Sequence, residues 1–299
     1  MKKFSIGLSM EIKLNEYEVL FHKYQDYIDC LYFSVPLGDK FQTRKNLFCG
    51  YNFQEATDKI KKILMCALNN GIKIELALNT YSLKKEDIIN AKQYCQEYLE
   101  TMPSCIVSIL SNGMDIADVF DNVFQIVSFN NGIKDEKDLF KIPECYREIV
   151  LSQSQIRNPL FWTVIKKYGF KTRLLLNNGC SFNCGTCKNA KDCKSIFEKN
   201  IAQNGVNYVY ALQSIYPSEF KEHLQNSLYL DSFKISNRNC SFEYLMNCLE
   251  GYISGNDDII KNNHKKYYLW GRLAHFSKYY DIINDVEVYR IKKLLWNSI

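Results

Sequence analysis

Cys180, Cys184, Cys187 and Cys193 crowd into fourteen consecutive positions of LLLNNGCSFNCGTCKNAKDC, just past an apolar, strand-like run. Thiolates two or three residues apart on one loop can converge on a single soft metal centre, and their mutual repulsion makes an accidental cluster costly. Zinc usually takes two separated pairs or adds histidines, whereas this loop has no histidine and the chain has no second Cys-x2-Cys pair. A cubane [4Fe-4S] cluster, held by three closely spaced thiolates and a fourth from nearby, fits the spacing best. Zn and uncoordinated thiols are the alternatives. The fourth corner is contested: Cys193 needs the smallest loop, while Cys49 and Cys240 depend on the fold to bring them close.

A second candidate group is cationic. In LDSFKISNR, Lys234 alternates with Phe233 and Ile235, so in a strand it faces the opposite side from them. Arg238 falls just past the end of that run. A fixed cationic pair suits a carboxylate or a phosphate. The same residues would serve equally well as a buried ion-pair partner and a loop anchor. Arg44, in FQTRKN, is a weaker candidate, because that stretch also suits a solvated loop. The four histidines point to no site: there is no His-Glu-x-x-His helix, and none lies beside a Ser or Cys nucleophile in sequence. His22, His223, His264 and His275 are expected to be structural or solvated.

These residues need elements to position them. Short β-branched or aromatic runs alternate with longer amphipathic patterns, the mark of βα units around a parallel sheet. Strands are expected at 4–10, 31–37, 72–79, 105–110, 124–130, 147–153, 171–179 and 230–238. Helices are expected from about Glu16 to Tyr27, in FQEATDKIKKILMCALNNG behind Asn52 as N-cap, in LKKEDIINAKQYCQEYLETM, in NPLFWTVIKKYG, in SEFKEHLQNS and in CSFEYLMNCLEGYISG. Eight such units predict an α/β protein, a (β/α)8 TIM-like barrel with a short helical C-terminal extension. Residues 1–255 would form the barrel, with a cysteine-rich insertion at 180–205, and 256–299 the extension. YVYALQSIY, 208–216, is expected as a ninth strand-like segment between strands seven and eight; HKKYYLWGRLAHFSKYY and VEVYRIKKLLW are expected as two helices of the extension. In such a barrel the chemistry sits at the C-terminal ends of the strands. Both candidate groups fall there.

With 299 residues, 46% of them hydrophobic, the chain can bury a large core. A formal charge of +5 spread among nearly as many acids is too mild to identify a nucleic-acid binder. No signal-peptide core or membrane-length apolar run is present, so the reading is a soluble, cytoplasmic chain. Twelve cysteines there are no disulfide framework. Cys30, Cys66, Cys95, Cys105, Cys145 and Cys248 are expected as small core residues.

LDSFKISNRNCSFEYLMNCLEGY resembles the last strand and helix of the collagenase-like "peptidase" family of barrel proteins, whose signature runs Asp-Ser-hydrophobic-Lys-Ile-Glu-Gly-Arg and continues into a helix with Ser and Tyr. Asp231, Ser232, Lys234, Ile235, Arg238, Ser241, Tyr244 and Tyr252 fit it, and Ser236-Asn237 replaces the Glu-Gly. LYFSVPLGDKFQTRKN, with Arg44, resembles the second strand and its loop. GIKIELALNT resembles the third strand ending in Asn, here Asn79. REIVLSQSQ resembles the sixth, with Gln153 or Gln155 where Glu is common, and NNGCSFNC resembles one branch's Asn-x-Gly-Cys-x3-Cys loop. The likeness covers roughly residues 1–254. It implies an iron–sulfur barrel akin to the family's oxygen-independent hydroxylases of RNA bases and ubiquinone precursors, thought to use prephenate as oxygen donor. In one branch of the family the loop carrying Cys49 also contributes a ligand.

Cys-x3-Cys-x2-Cys is also the spacing of radical S-adenosylmethionine enzymes. There, however, the motif follows the first strand with an aromatic residue before the third cysteine. Here Thr186 holds that position and most of the βα pattern comes first. The sequence therefore favours an iron–sulfur oxidoreductase or hydroxylase with Lys234 and Arg238 at the substrate, acting on a small molecule or on RNA. The alternatives are a radical S-adenosylmethionine-type enzyme, a non-catalytic metal-binding partner subunit, or a peptidase. A protein partner or a homo-oligomer stays open, and no membrane is involved.

Overall fold

Alternate residues of each barrel strand must satisfy two environments, helices outside and strand side chains inside, and the sequence supplies both. The computed structural model describes residues 3–41, 47–121, 123–133, 135–151, 155–177, 190–235, 240–266 and 271–297. Its strands are β1 (Phe4–Gly7), β2 (Ile28–Phe33), β3 (Lys73–Leu78), β4 (Cys105–Ser108), β5 (Phe124–Val127), β6 (Tyr146–Leu151), β7 (Lys171–Leu175) and β8 (Ser232–Ile235). Each pairs in parallel with the next, and β8 returns to β1, so the sheet closes into a barrel. All eight expected strands are present, each within or close to its expected span.

Between strands run α1 (Leu14–Tyr24), α2 (Phe53–Asn69), α3 (Lys85–Gln93), α4 (Gly113–Val119), α5 (Glu136–Leu139) and α6 (Pro159–Lys167). Helix α2 shows how local sequence sets its limits. Asn52 Oδ1 accepts from Glu55 N at 2.9 Å while Glu55 Oε2 accepts from Asn52 N at 3.1 Å, a reciprocal cap. Gly71, at φ +71°, turns the chain just past its end, where a side chain would be strained. Ile60, Ile63, Leu64 and Ala67 bury one face in the core that also holds the outward Leu31, Leu76 and Ile106 of the strands.

After β7 the chain departs from the simple repeat, with α7 (Ala190–Asn204), α8 (Val206–Gln213) and α9 (Pro217–Glu219) before β8. The expected strand at 208–216 is therefore corrected: most of it is α8. Val209, Tyr210, Ala211 and Gln213 are all buried, and a short run apolar on most sides carries no periodicity that separates a strand from a helix packed all round. After β8 come α10 (Phe242–Ser254), capped by Ser241, whose Oγ accepts from Tyr244 N at 3.2 Å, then α11 (Asp257–Lys266), a 3-10 helix (Gly271–Ile282) and α12 (Asp285–Asn297). The expected helix over HKKYYLWGRLAHFSKYY is likewise corrected. Its first residues end α11, which begins seven residues earlier, and its last part is the 3-10 helix. Among the described residues no helix is long and apolar enough to cross a membrane.

The C-terminal helices build a second core with α7 and α8, in which Phe197, Tyr210, Tyr216, Phe276 and Val288 meet. Its edge is an ionic seam. Glu219 accepts from Arg157 Nε at 2.6 Å, Lys292 Nζ at 2.9 Å and Trp296 Nε1 at 2.8 Å, with both cations buried. The same two cations donate to carbonyls at the C-terminal end of α8: Arg157 to Ala211, Leu212 and Ser214, and Lys292 to Ala211 and Ser214. Beside them His264 is buried, its Nδ1 3.1 Å from Tyr210 Oη.

Candidate functional site

Charged residues interrupt three of the apolar strands, and the barrel gathers them with Lys234 at its axis. Arg173 of β7 is the hub: its Nη1 donates to Glu75 Oε2 of β3 at 2.5 Å, and its Nε donates to Glu148 Oε1 of β6 at 2.7 Å. Lys234 Nζ of β8 lies 3.4 Å from Glu75 Oε1, and Ser232 Oγ donates to Glu148 Oε1 at 3.2 Å. Two acids and two bases thus compensate one another away from solvent, which is the condition for burying charge at all. Burial pushes the Glu75 carboxyl up, but Arg173 and Lys234 overcome it and bring it down to about 2. Burial also weighs against the Arg173 charge, and Glu75 and Glu148 raise it well above the ordinary guanidinium value. The Cys30 and Cys105 thiols sit 3.4 and 3.7 Å from Glu75 Oε2, and burial pushes both up, so they remain neutral donors.

Above this lattice the C-terminal ends of the strands form the mouth. Lys234 Nζ lies 3.8 Å from the centroid of the Tyr32 ring, a cation–π contact, and Tyr32 Oη donates to Ile235 O at 3.0 Å. One rung further out lie the buried Ser34, Asn79 and Ser128, each two residues beyond an inward-facing residue of its strand. Asn79 Nδ2 donates to Ser128 Oγ at 3.4 Å.

The expected site residues divide. Lys234 faces the barrel interior as its alternation implied, and there it is an ion-pair partner of Glu75, the structural role that its pattern equally allowed. Arg238 and Arg44 lie outside the described residues, as do Cys180, Cys184 and Cys187; Cys193 falls on α7, with its side chain outside the description. Cys49 is exposed, and Cys240 is buried in the main core with its carbonyl accepting from Ser9 Oγ at 2.7 Å. Among the described residues no group of three or more His, Cys, Asp or Glu is placed to hold a metal ion. The cysteine set is a soft, all-thiol donor set, which suits an iron–sulfur centre by its chemistry. Sequence reasoning missed Glu75, Glu148 and Arg173. Their signal was present: each is a charge inside a strand run, in IKIELAL, REIVL and TRLLL, on the inward phase. Cys30 and Cys105 are buried as expected, inside the barrel beside Glu75.

No protein-family model matches the chain, and no curated protein matches it. Among solved structures it is similar to the U32 peptidase Mk0906, with a TM-score of 0.49 and 12% identity over 80% of this chain and 95% of that one. It is also similar to CpGH84B, with a TM-score of 0.43 and 10% identity over 97% of this chain and 50% of that one. The chain thus spans half the length of CpGH84B.

Proposed function

We propose that this is an iron–sulfur barrel enzyme of the collagenase-like peptidase type, an oxygen-independent hydroxylase or related oxidoreductase acting in the cytoplasm on a small molecule or nucleobase. The observation that carries the reading is the position of the cysteine run in the chain. Asn177, at the C-terminal mouth of β7, precedes Cys180 by three residues, and three residues reach at most about 10 Å. Cys180, Cys184 and Cys187, with Cys193, Cys49 or Cys240, would hold the [4Fe-4S] cluster, which when bound would supply electron-transfer chemistry. The chain's own residues do the rest. Glu75 holds the Lys234 ammonium at the floor of the mouth with the Tyr32 face against it, a fixed N–H donor beneath a bound substrate. The closed barrel keeps the lattice below away from water, so the ion pair that fixes this donor is weakly screened.

Anaerobic purification followed by iron, sulfide and zinc analysis tests the cofactor. Iron with sulfide and a visible spectrum is expected, and stoichiometric zinc would replace the reading with a structural site. Cys184→Ala should lose nearly all iron; full retention would sink the cluster. Lys234→Ala and Arg238→Ala should abolish turnover with the spectrum unchanged, and wild-type activity in either removes that residue's substrate role.

A further inference from the structure

We infer that Asn79 is a specificity-determining residue of the mouth, reading an uncharged ligand that presents a cyclic cis-amide edge, an N–H beside a C=O. The inference rests on the mouth being the substrate site. Glu75 meets Arg173 and Lys234 from strands on the other side of the barrel, so by strand alternation Ala77 and then Asn79 share its inward phase. The contact of Asn79 with Ser128, two strands away in the sheet order, agrees.

Asn79 is 8% exposed, and its Oδ1 has no hydrogen-bond partner among the described residues. Turning the amide over does not remove the problem. Oδ1 would then take the Ser128 hydroxyl, and Nδ2 would lose its acceptor, so one polar atom stays open in either orientation. A buried acceptor without a donor carries its full desolvation cost, and native structures leave few of them outside sites of function or bound water. As placed, the amide offers an acceptor at Oδ1 and a second N–H at Nδ2 beyond the one given to Ser128. A cis-amide edge matches that pair with two hydrogen bonds. Among the described residues the charges below balance, two acids against two bases, so this part of the mouth suits a neutral group rather than a carboxylate.

The test uses the full chain, purified anaerobically, with hydantoin as probe and ligand-observed NMR titration as readout. Hydantoin should bind, and 1,3-dimethylhydantoin, which lacks both N–H groups, should bind at least tenfold more weakly. Asn79→Leu should weaken hydantoin at least tenfold while its unfolding midpoint stays the same or rises, because the orphaned acceptor is gone. No hydantoin binding, equal binding of the two hydantoins, or Asn79→Leu with unchanged affinity would overturn the inference and leave a water site or a purely structural amide. The two hydantoins are compared on the wild-type chain, so the test survives a variant that fails to fold. Iron measured on the same samples keeps the two readings apart: Asn79-dependent binding by an iron-free chain would sink the cluster alone.

Discussion

Two buried carboxylate sites, built from the same chemistry, behave as different devices. Inside the barrel, Glu75 and Glu148 are answered by Arg173 and Lys234, and all four side chains come from strands. At the seam one carboxylate, Glu219, meets two cations, Arg157 and Lys292. The surplus positive charge is turned on the carbonyls ending α8, where the helix dipole is negative. Among the described residues each charge of the lattice answers another, so losing one member leaves an opposite charge uncompensated. The seam has backbone acceptors in reserve, and its loss is expected to release the C-terminal helices before the barrel.

Removing the hub should therefore have the largest effect. Arg173→Met leaves Glu75 and Glu148 facing each other, and breaking a buried pair costs about 3–5 kcal/mol. Urea unfolding should show a destabilised barrel or an insoluble chain. A loss below about 1 kcal/mol would mean that water reaches the lattice. Lys292→Met should cost less, about 1.5–3 kcal/mol, the range for charged hydrogen bonds, since Arg157 still faces Glu219. Limited proteolysis should then cut within 256–299 while the barrel resists. Simultaneous loss of both regions would show one cooperative unit.

Acid should separate the two regions next. Burial, with Lys292 nearby, brings the His264 imidazole down to about 3. The unfolded chain takes up that proton near pH 6.5 and the folded chain only near 3, so stability falls as pH drops between those values. The slope is at most about 1.4 kcal/mol per pH unit. Glu75, lowered from 4.5 to about 2, contributes stability above pH 4.5 that is lost as pH falls toward 2. Between pH 7 and pH 5 the hydrogen-exchange protection factors of α11 and α12 should accordingly fall while those of β3 and β7 hold, and His264→Gln should abolish this early loss. The smallest effect belongs to Lys278→Ala. It breaks the exposed 3.2 Å pair with Glu198 and should leave the urea midpoint where it is in the wild-type chain.

The barrel was legible because its strands repeat a period-two pattern between caps and turns that act locally, as Asn52 and Gly71 do for α2. Lys234 was legible as an inward residue for the same reason, but its partner was not: Glu75 lies 159 positions away, and nothing in one strand names the strand across the barrel. The helix at Val206–Gln213 was misjudged because burial on most sides erases the periodicity that distinguishes helix from strand.

The sequence by itself determined the eight alternating units, the inward phase of the charged strand residues and the soft donor set of the cysteine run. These follow from local sterics, from periodicity and from ligand chemistry within a few residues. Only the tertiary structure decided that Arg173 joins Glu75 to Glu148, that Lys292 returns from the C-terminal helix to Glu219, and that Asn79 keeps an acceptor open beside Ser128. Those pairings depend on closing the sheet on itself, and ring closure selects partners by position in space, which spacing along the chain does not encode.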